Sequence, residues 1–207
     1  MENFIRLITM MGIFGLSISS SFNASAAAVT YSNTGSQNPD SYTFTATSTG
    51  QINGYFFGAT AAYSNTLTML VNGVATPETS AGVFHNHSSA TGDFLNLGFV
   101  HEGDVITFQL NVLTTGKIWS SDHSLNSDHT SHVFSTSFGG DMETGIPAGT
   151  YVGFEDLIRG GDFDYDDEAF VFTNISAVPE PETYAMLLAG LLMISYQLRN
   201  RGDTRSI

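Results

Sequence analysis

Seven carboxylates fall within the fourteen residues from Glu155 to Glu168: Glu155, Asp156, Asp162, Asp164, Asp166, Asp167 and Glu168. Arg159 is the single base among them. Two carboxylates about 4 Å apart repel by roughly 1 kcal/mol in water and roughly 4 kcal/mol at the effective dielectric of a protein surface, so a folded loop this dense needs a cation or wide spacing. Ca²⁺ is the simplest cation, because it takes about six to eight hard oxygen ligands in irregular geometry, and closely spaced Asp residues with glycines to turn the backbone supply them. Asp162, Asp164 and Asp167 are the expected carboxylate ligands, helped by Glu155 or Asp156 from the preceding strand end. Asp162, Asp164 and Asp166 hold the first, third and fifth places of an EF-hand loop, but its sixth place is Asp167 rather than Gly and its twelfth is Thr173 rather than Glu. The expectation is therefore a single non-helical calcium loop between strands, and the alternative is a solvated acidic turn.

Other chemistry is less well supported by spacing. His85 and His87, two apart, would face one way on a strand, and His129 with His132 could join them around a transition metal. The polar region from Ser120 to His132, with Asp122, His123, Asp128, His129 and His132, is a second place to look. No His-Glu-x-x-His, Gly-x-Ser-x-Gly or cysteine nucleophile occurs. Asp164 and Asp167 could pair as glycosidase acid and base only with a substrate cleft around them. The chain is accordingly expected not to be an enzyme, with a secreted hydrolase as the remote alternative.

The elements that must position these groups read as short strands. Tyr42 to Thr45, Ile52 to Phe57, Asp93 to Val100, Asp104 to Val112, His132 to Ser137, Gly149 to Phe154 and Glu168 to Ile175 alternate apolar and polar residues, and Thr66 to Val74 reads as a hairpin turning at Asn72-Gly73. His101-Glu102-Gly103 has a tight-turn composition. About eight to ten strands with no sustained helical period predict an all-β protein, an antiparallel β-sandwich or jelly roll, over residues 28–177. The loop of interest then lies near the end of that domain.

Charge and cysteine content narrow the setting. Acids outnumber bases 20 to 6, and residues 28–178 hold 16 of the acids against only Lys117 and Arg159. That excess argues against a nucleic-acid partner and suits an exported protein that meets millimolar divalent cations. Cysteine is absent, so no disulfide braces the fold.

Both ends carry export signals. Residues 1–27 hold Arg6, an apolar run from Leu7 to Ile18 and a small-residue stretch containing Ala24-Ser25-Ala26, which is the pattern of a signal peptide cleaved by signal peptidase after Ala26 or Ala27. In residues 178–207, Pro179-Glu180-Pro181 precedes an apolar run from Tyr184 to Leu198, and Arg199, Arg201 and Arg205 follow. This segment resembles a PEP-CTERM sorting signal, which implies recognition and cleavage by an exosortase in a Gram-negative bacterium. The parts suit that role: the prolines hold the peptide extended and the arginines stay cytoplasmic. Fifteen residues of helix at about 1.5 Å rise span about 22 Å, less than a hydrocarbon core of about 30 Å, so the short membrane helix is expected to be a temporary anchor.

Phe154-Glu155-Asp156-Leu157, followed by Gly161-Asp162-Phe163-Asp164-Tyr165-Asp166-Asp167, resembles the motif of a family of secreted bacterial β domains of unknown function. Ala148 to Gly153, Ser124-Leu125-Asn126 and His132 resemble the family as well, and the likeness covers roughly residues 50–175. It departs at Asp166, where the family more often has Asn. The resemblance implies a β-sandwich and Ca²⁺ binding, with no established activity. Together these features predict a calcium-stabilised protein of the cell surface or extracellular matrix, structural or adhesive and associated with biofilm exopolysaccharide. The alternative is a carbohydrate-binding module, marked by exposed aromatics such as Trp119 and Tyr63 lining a groove.

Overall fold

In Val105 to Val112 every second side chain points to one face, and Ile106, Phe108, Leu110 and Val112 are the buried set. Segments of this kind build two antiparallel sheets in the computed structural model, which describes residues 29–179, 190–195 and 199. The first sheet contains β1 (Tyr42–Ala46), β3 (Asn65–Val71), β4 (Val74–Ala75), β6 (Val105–Val112), β7 (Lys117–Ser120) and β11 (Ile175–Pro179). Its order is β11-β1-β6-β3-β4, with β7 pairing the part of β6 that β1 leaves free. The second contains β2 (Gly50–Gly58), β5 (Phe94–Val100), β8 (Val133–Phe138), β9 (Gly149–Phe154) and β10 (Glu168–Thr173), in the order β5-β2-β10-β9-β8. The fold is the expected all-β sandwich.

Aromatic side chains join the layers. Phe108 of the first sheet stacks on Phe172 of the second with ring centroids 4.0 Å apart, and Phe44 and Phe170 meet this pair from either side. β10 is buried on both faces. Phe170 and Phe172 enter the central core, whereas Ala169 and Val171 join Tyr151, Phe138 and Ile146 in a smaller cluster on the outer face of the second sheet. A strand covered on both sides holds its two neighbours, β2 and β9, in fixed register, and β9 is the strand that leads into the acidic stretch.

Two segments differ from the sequence-based expectation. Glu168 to Ile175 is not one strand: Asn174 adopts a left-handed φ of 65°, and the chain crosses there from the second sheet to the first. The Asn174 side chain fixes the crossing by accepting hydrogen bonds from the Thr47 and Ser48 hydroxyls. β7 is a strand absent from the sequence-based set, because only four residues pair and Trp119 is its one large buried side chain. The hairpin at Asn72-Gly73 forms as expected, both residues having positive φ.

β11 runs to Pro179, which pairs with Tyr42, so the first residue of the sorting motif sits at the sheet edge. Residues 190–195 are helical and expose Leu191, Leu192, Met193 and Ile194. Among the described residues no helix is long and apolar enough to cross a membrane. The signal peptide of residues 1–27, Glu180, Pro181, Arg201, Arg205 and most of the C-terminal apolar run lie outside the described residues, and Arg199 lies in helix.

Candidate metal centre

The acidic stretch is the connection between β9 and β10. After Phe154, which pairs with Glu168, the chain passes Glu155 and Asp156, makes a 3-10 turn at Ile158–Gly160 and returns through Tyr165. Arg159, Gly160, Gly161, Phe163 and Tyr165 all have positive φ, which lets the loop fold back on itself within a few residues. Gly153 is required by close approach, since a methyl group there would overlap the Tyr165 carbonyl oxygen. Three backbone bonds dock the loop: Gly35 N–H donates to the Asp162 carbonyl, and Thr60 and Ala61 N–H donate to those of Asp166 and Asp167. Tyr165 pins it from within, being fully buried, with its hydroxyl accepting from Asn38 N–H at 2.8 Å and donating to the Ser131 carbonyl at 3.2 Å.

Glu155 is the centre of the arrangement. It is fully buried; Oε1 accepts from Tyr165 N–H at 2.7 Å, and Oε2 has no hydrogen-bond partner. An orphaned buried oxygen of this kind needs a proton or a cation. Asp162 and Asp164 bring one carboxylate oxygen each to it, so that the ligand atoms of the three residues lie within 4.8 Å of one another. This buried-to-exposed acidic triad could hold a metal ion, and its all-oxygen donor set suits a hard cation.

Asp156 and Asp167 stand beside that triad. The Asp156 carboxylate accepts from Asn65 Nδ2 at 2.8 Å, and Asp167 Oδ2 accepts from Asp156 N–H at 2.9 Å. Both line a cleft of about 430 Å³ with Asp162, Ala62, Tyr63 and Leu157. Burial pushes the Glu155 carboxyl up to about 8 and the Asp167 carboxyl to about 7, and the neighbouring aspartates add to both shifts. Asp164 is raised as well, by burial and by Asp166 and Asp162. No Lys or Arg relieves this crowding: among the described residues the ion pairs are His101–Asp104 and His132–Asp128.

His132 supports the site from below. Its Nδ1 lies 2.9 Å from the Glu155 carbonyl and its Nε2 lies 3.0 Å from Asp128 Oδ2, while its backbone carbonyl accepts from Glu155 N–H. The ring stacks on Trp119 at 3.9 Å, and the Trp119 indole N–H donates to the Asp156 carbonyl at 2.7 Å. Burial pushes the Asp128 carboxyl up, but hydrogen bonds from Arg159 N–H, His132 and Thr130 N–H outweigh it and hold that group below the usual carboxylate range. Glu155 and Asp156 are thus fixed through their backbone by a buried His–Trp pair.

Two sequence expectations change here. The four histidines do not gather: His132 is buried with both ring nitrogens engaged, His85 and His87 contact each other, and His129 lines a separate cleft with His123. Trp119 is fully buried, so it cannot form the exposed aromatic platform of a sugar groove; Tyr63 does line the acidic cleft. Asp128 falls in the polar region from Ser120 to His132 that the sequence marks, but Asn65 and the inward placement of Glu168 are not legible as parts of the site. Of these two, Glu168 carries a signal, as a carboxylate opening the apolar run Ala169 to Phe172.

Residues 82–174 match the family described as a domain of unknown function, DUF4114, and residues 177–201 match the PEP-CTERM protein-sorting motif. No curated protein and no solved structure matches the chain. The sorting motif marks an exported protein of a Gram-negative bacterium, anchored transiently in the membrane and processed by an exosortase. The chain thus joins a DUF4114 domain of unknown function to a C-terminal PEP-CTERM protein-sorting motif.

Proposed function

We propose that this protein is a calcium-braced β-sandwich with a structural or adhesive role outside the cell, and that it is not an enzyme. Ca²⁺ bound by Glu155, Asp162 and Asp164 would close the β9–β10 connection and hold it against the N-terminal segment and the β2–β3 connection. The observation that carries this role is the unpartnered, fully buried Glu155 Oε2 facing two further carboxylates. Ca²⁺ rather than a transition metal follows from the donors, which are carboxylate oxygens and include no histidine or sulfur. Asp156 and Asp167 complete the outer wall. The absence of cysteine makes a metal brace the available covalent-free staple for an exported domain.

In this role signal peptidase removes residues 1–27, the C-terminal segment parks the chain at the inner membrane, and exosortase cleavage delivers it to the cell surface or a biofilm matrix rich in exopolysaccharide. The experiment is a pair of thermal melts of the purified protein, in millimolar Ca²⁺ and in chelator. A higher melting temperature with Ca²⁺ that disappears in Glu155→Gln is expected, and no shift in the parent protein would count against the calcium brace. Mass spectrometry of the mature C-terminus tests the sorting step: a peptide spanning residues 187–199 retained on the mature protein would contradict cleavage. A carbohydrate-binding role is the second possibility, favoured by the position of Tyr63 in the acidic cleft. Calcium-dependent binding on a glycan array, lost in Tyr63→Ala, would select it.

A further inference from the structure

Glu168 is fully buried and neither of its carboxylate oxygens has a hydrogen-bond partner. It opens β10 opposite Phe154, on the face that also carries Phe170 and Phe172, so its side chain enters the space between the sheets. Asn65 enters the same layer from the other side: it begins β3 and shares the inward face of Leu67 and Met69. It too is fully buried, and its Oδ1 has no partner. Asp156 links the two. Its carboxylate accepts from Asn65 Nδ2, and its charge acts on Glu168. Three orphaned oxygens on two side chains, reaching inward from opposite sheets, therefore adjoin a third oxygen-bearing group.

We propose that a second hard divalent cation of the Ca²⁺ class is held between the sheets by Glu168, Asp156 and the side-chain oxygen of Asn65. Glu168 can bind through both oxygens, and Asp156 and Asn65 each add one. The two carboxylates carry two negative charges when ionised, which a divalent cation neutralises. Asp156 also lines the cleft of about 430 Å³, which gives the ion a way in and water to complete its shell. None of these ligands belongs to the Glu155, Asp162 and Asp164 triad, so the second site stands or falls separately from the first. Its consequence differs as well. The first ion closes a loop, whereas the second ties β3 of one sheet to β10 of the other.

The test is a count of bound ions. The purified full-length chain is dialysed against millimolar Ca²⁺, its calcium is measured by elemental analysis, and the titration is repeated with Tb³⁺ excited through Trp119, the single tryptophan, whose indole donates to the Asp156 carbonyl. Two ions per chain are expected in the parent protein, and one in each of Glu168→Gln and Glu155→Gln. Asn65→Ala, a change at a neutral ligand, should weaken the second binding step tenfold or more and leave the first unchanged. Melts in chelator show whether each variant is folded, and Glu168→Gln should melt no lower than the parent there, because it removes only a carboxyl with no partner. One ion per chain in the parent, or an unchanged count in folded Glu168→Gln together with unchanged binding in Asn65→Ala, would overturn the proposal. An unchanged count in folded Glu155→Gln would instead contradict the calcium brace and leave the second site standing.

Discussion

Calcium stabilisation should grow with pH, and Glu155 sets its size. Without a cation, burial keeps the Glu155 carboxyl protonated up to about 8, against an ordinary value of 4.5. Between those values the folded metal-free protein holds a proton that the unfolded chain has released. Stability from this group is therefore fully present below about 4.5 and is lost as pH rises through about 8. At pH 7 the loss is about 3 kcal/mol, from roughly 1.4 kcal/mol for each pH unit above the unfolded value. Asp167, raised to about 7, and Glu168, raised to about 9, have the same sign. Ca²⁺ reverses the trend, because it binds the ionised carboxylate and recovers what deprotonation costs. At roughly 2 to 4 °C per kcal/mol for a domain of this size, the calcium-induced rise in melting temperature should be about 6 to 12 °C larger near pH 7 than near pH 4.5. Paired melts in Ca²⁺ and in chelator across that range measure it, with Glu155→Gln as the control whose metal-free stability varies less with pH. A calcium shift that stays constant or shrinks as pH rises would refute the reasoning.

Other perturbations have defined outcomes. Gly153→Ala places a methyl against the Tyr165 carbonyl and should lower stability by about 1 to 3 kcal/mol, the usual cost of overpacking, as read by denaturant melts. Trp119→Phe keeps a ring over His132 but leaves the buried Asp156 carbonyl without its donor, for a loss of about 1 to 3 kcal/mol in the same assay. Asp128→Asn should flatten the acid limb of the stability curve: the depressed carboxyl of Asp128 contributes stability above its unfolded value and loses it as pH falls through the folded one. This is opposite in sign to the Glu155 effect, so the two variants should change opposite ends of one pH profile.

Strand alternation made much of the sandwich legible, because β1, β2 and β6 each present one buried face to the core. The break at Asn174 was not legible: the residues on both sides favour strand, and only the left-handed asparagine and its bonds to Thr47 and Ser48 move the chain between layers. At the site, carboxylate density picked out the loop and three of its members. It could not rank them, since whether an oxygen is free depends on distant partners. Asp156 is engaged by Asn65, ninety-one positions away, whereas Glu155 Oε2 is left without a partner. Glu168 looked like one more acid of the loop, and its register opposite Phe154 turns it inward. Trp119 looked available to a ligand until the pairing of β7 with β6 buried it.

A calcium titration by isothermal calorimetry, run on the parent protein and on Glu155→Gln and Asp162→Asn, tests the calcium brace most directly. Binding in the range of about 10⁻⁴ to 10⁻³ M, typical of extracellular calcium modules, is expected for the parent, with a weakening of at least about tenfold at the triad in each variant. An absence of heat in the parent at millimolar Ca²⁺, or the same isotherm in all three proteins, would contradict a calcium ion held by Glu155, Asp162 and Asp164.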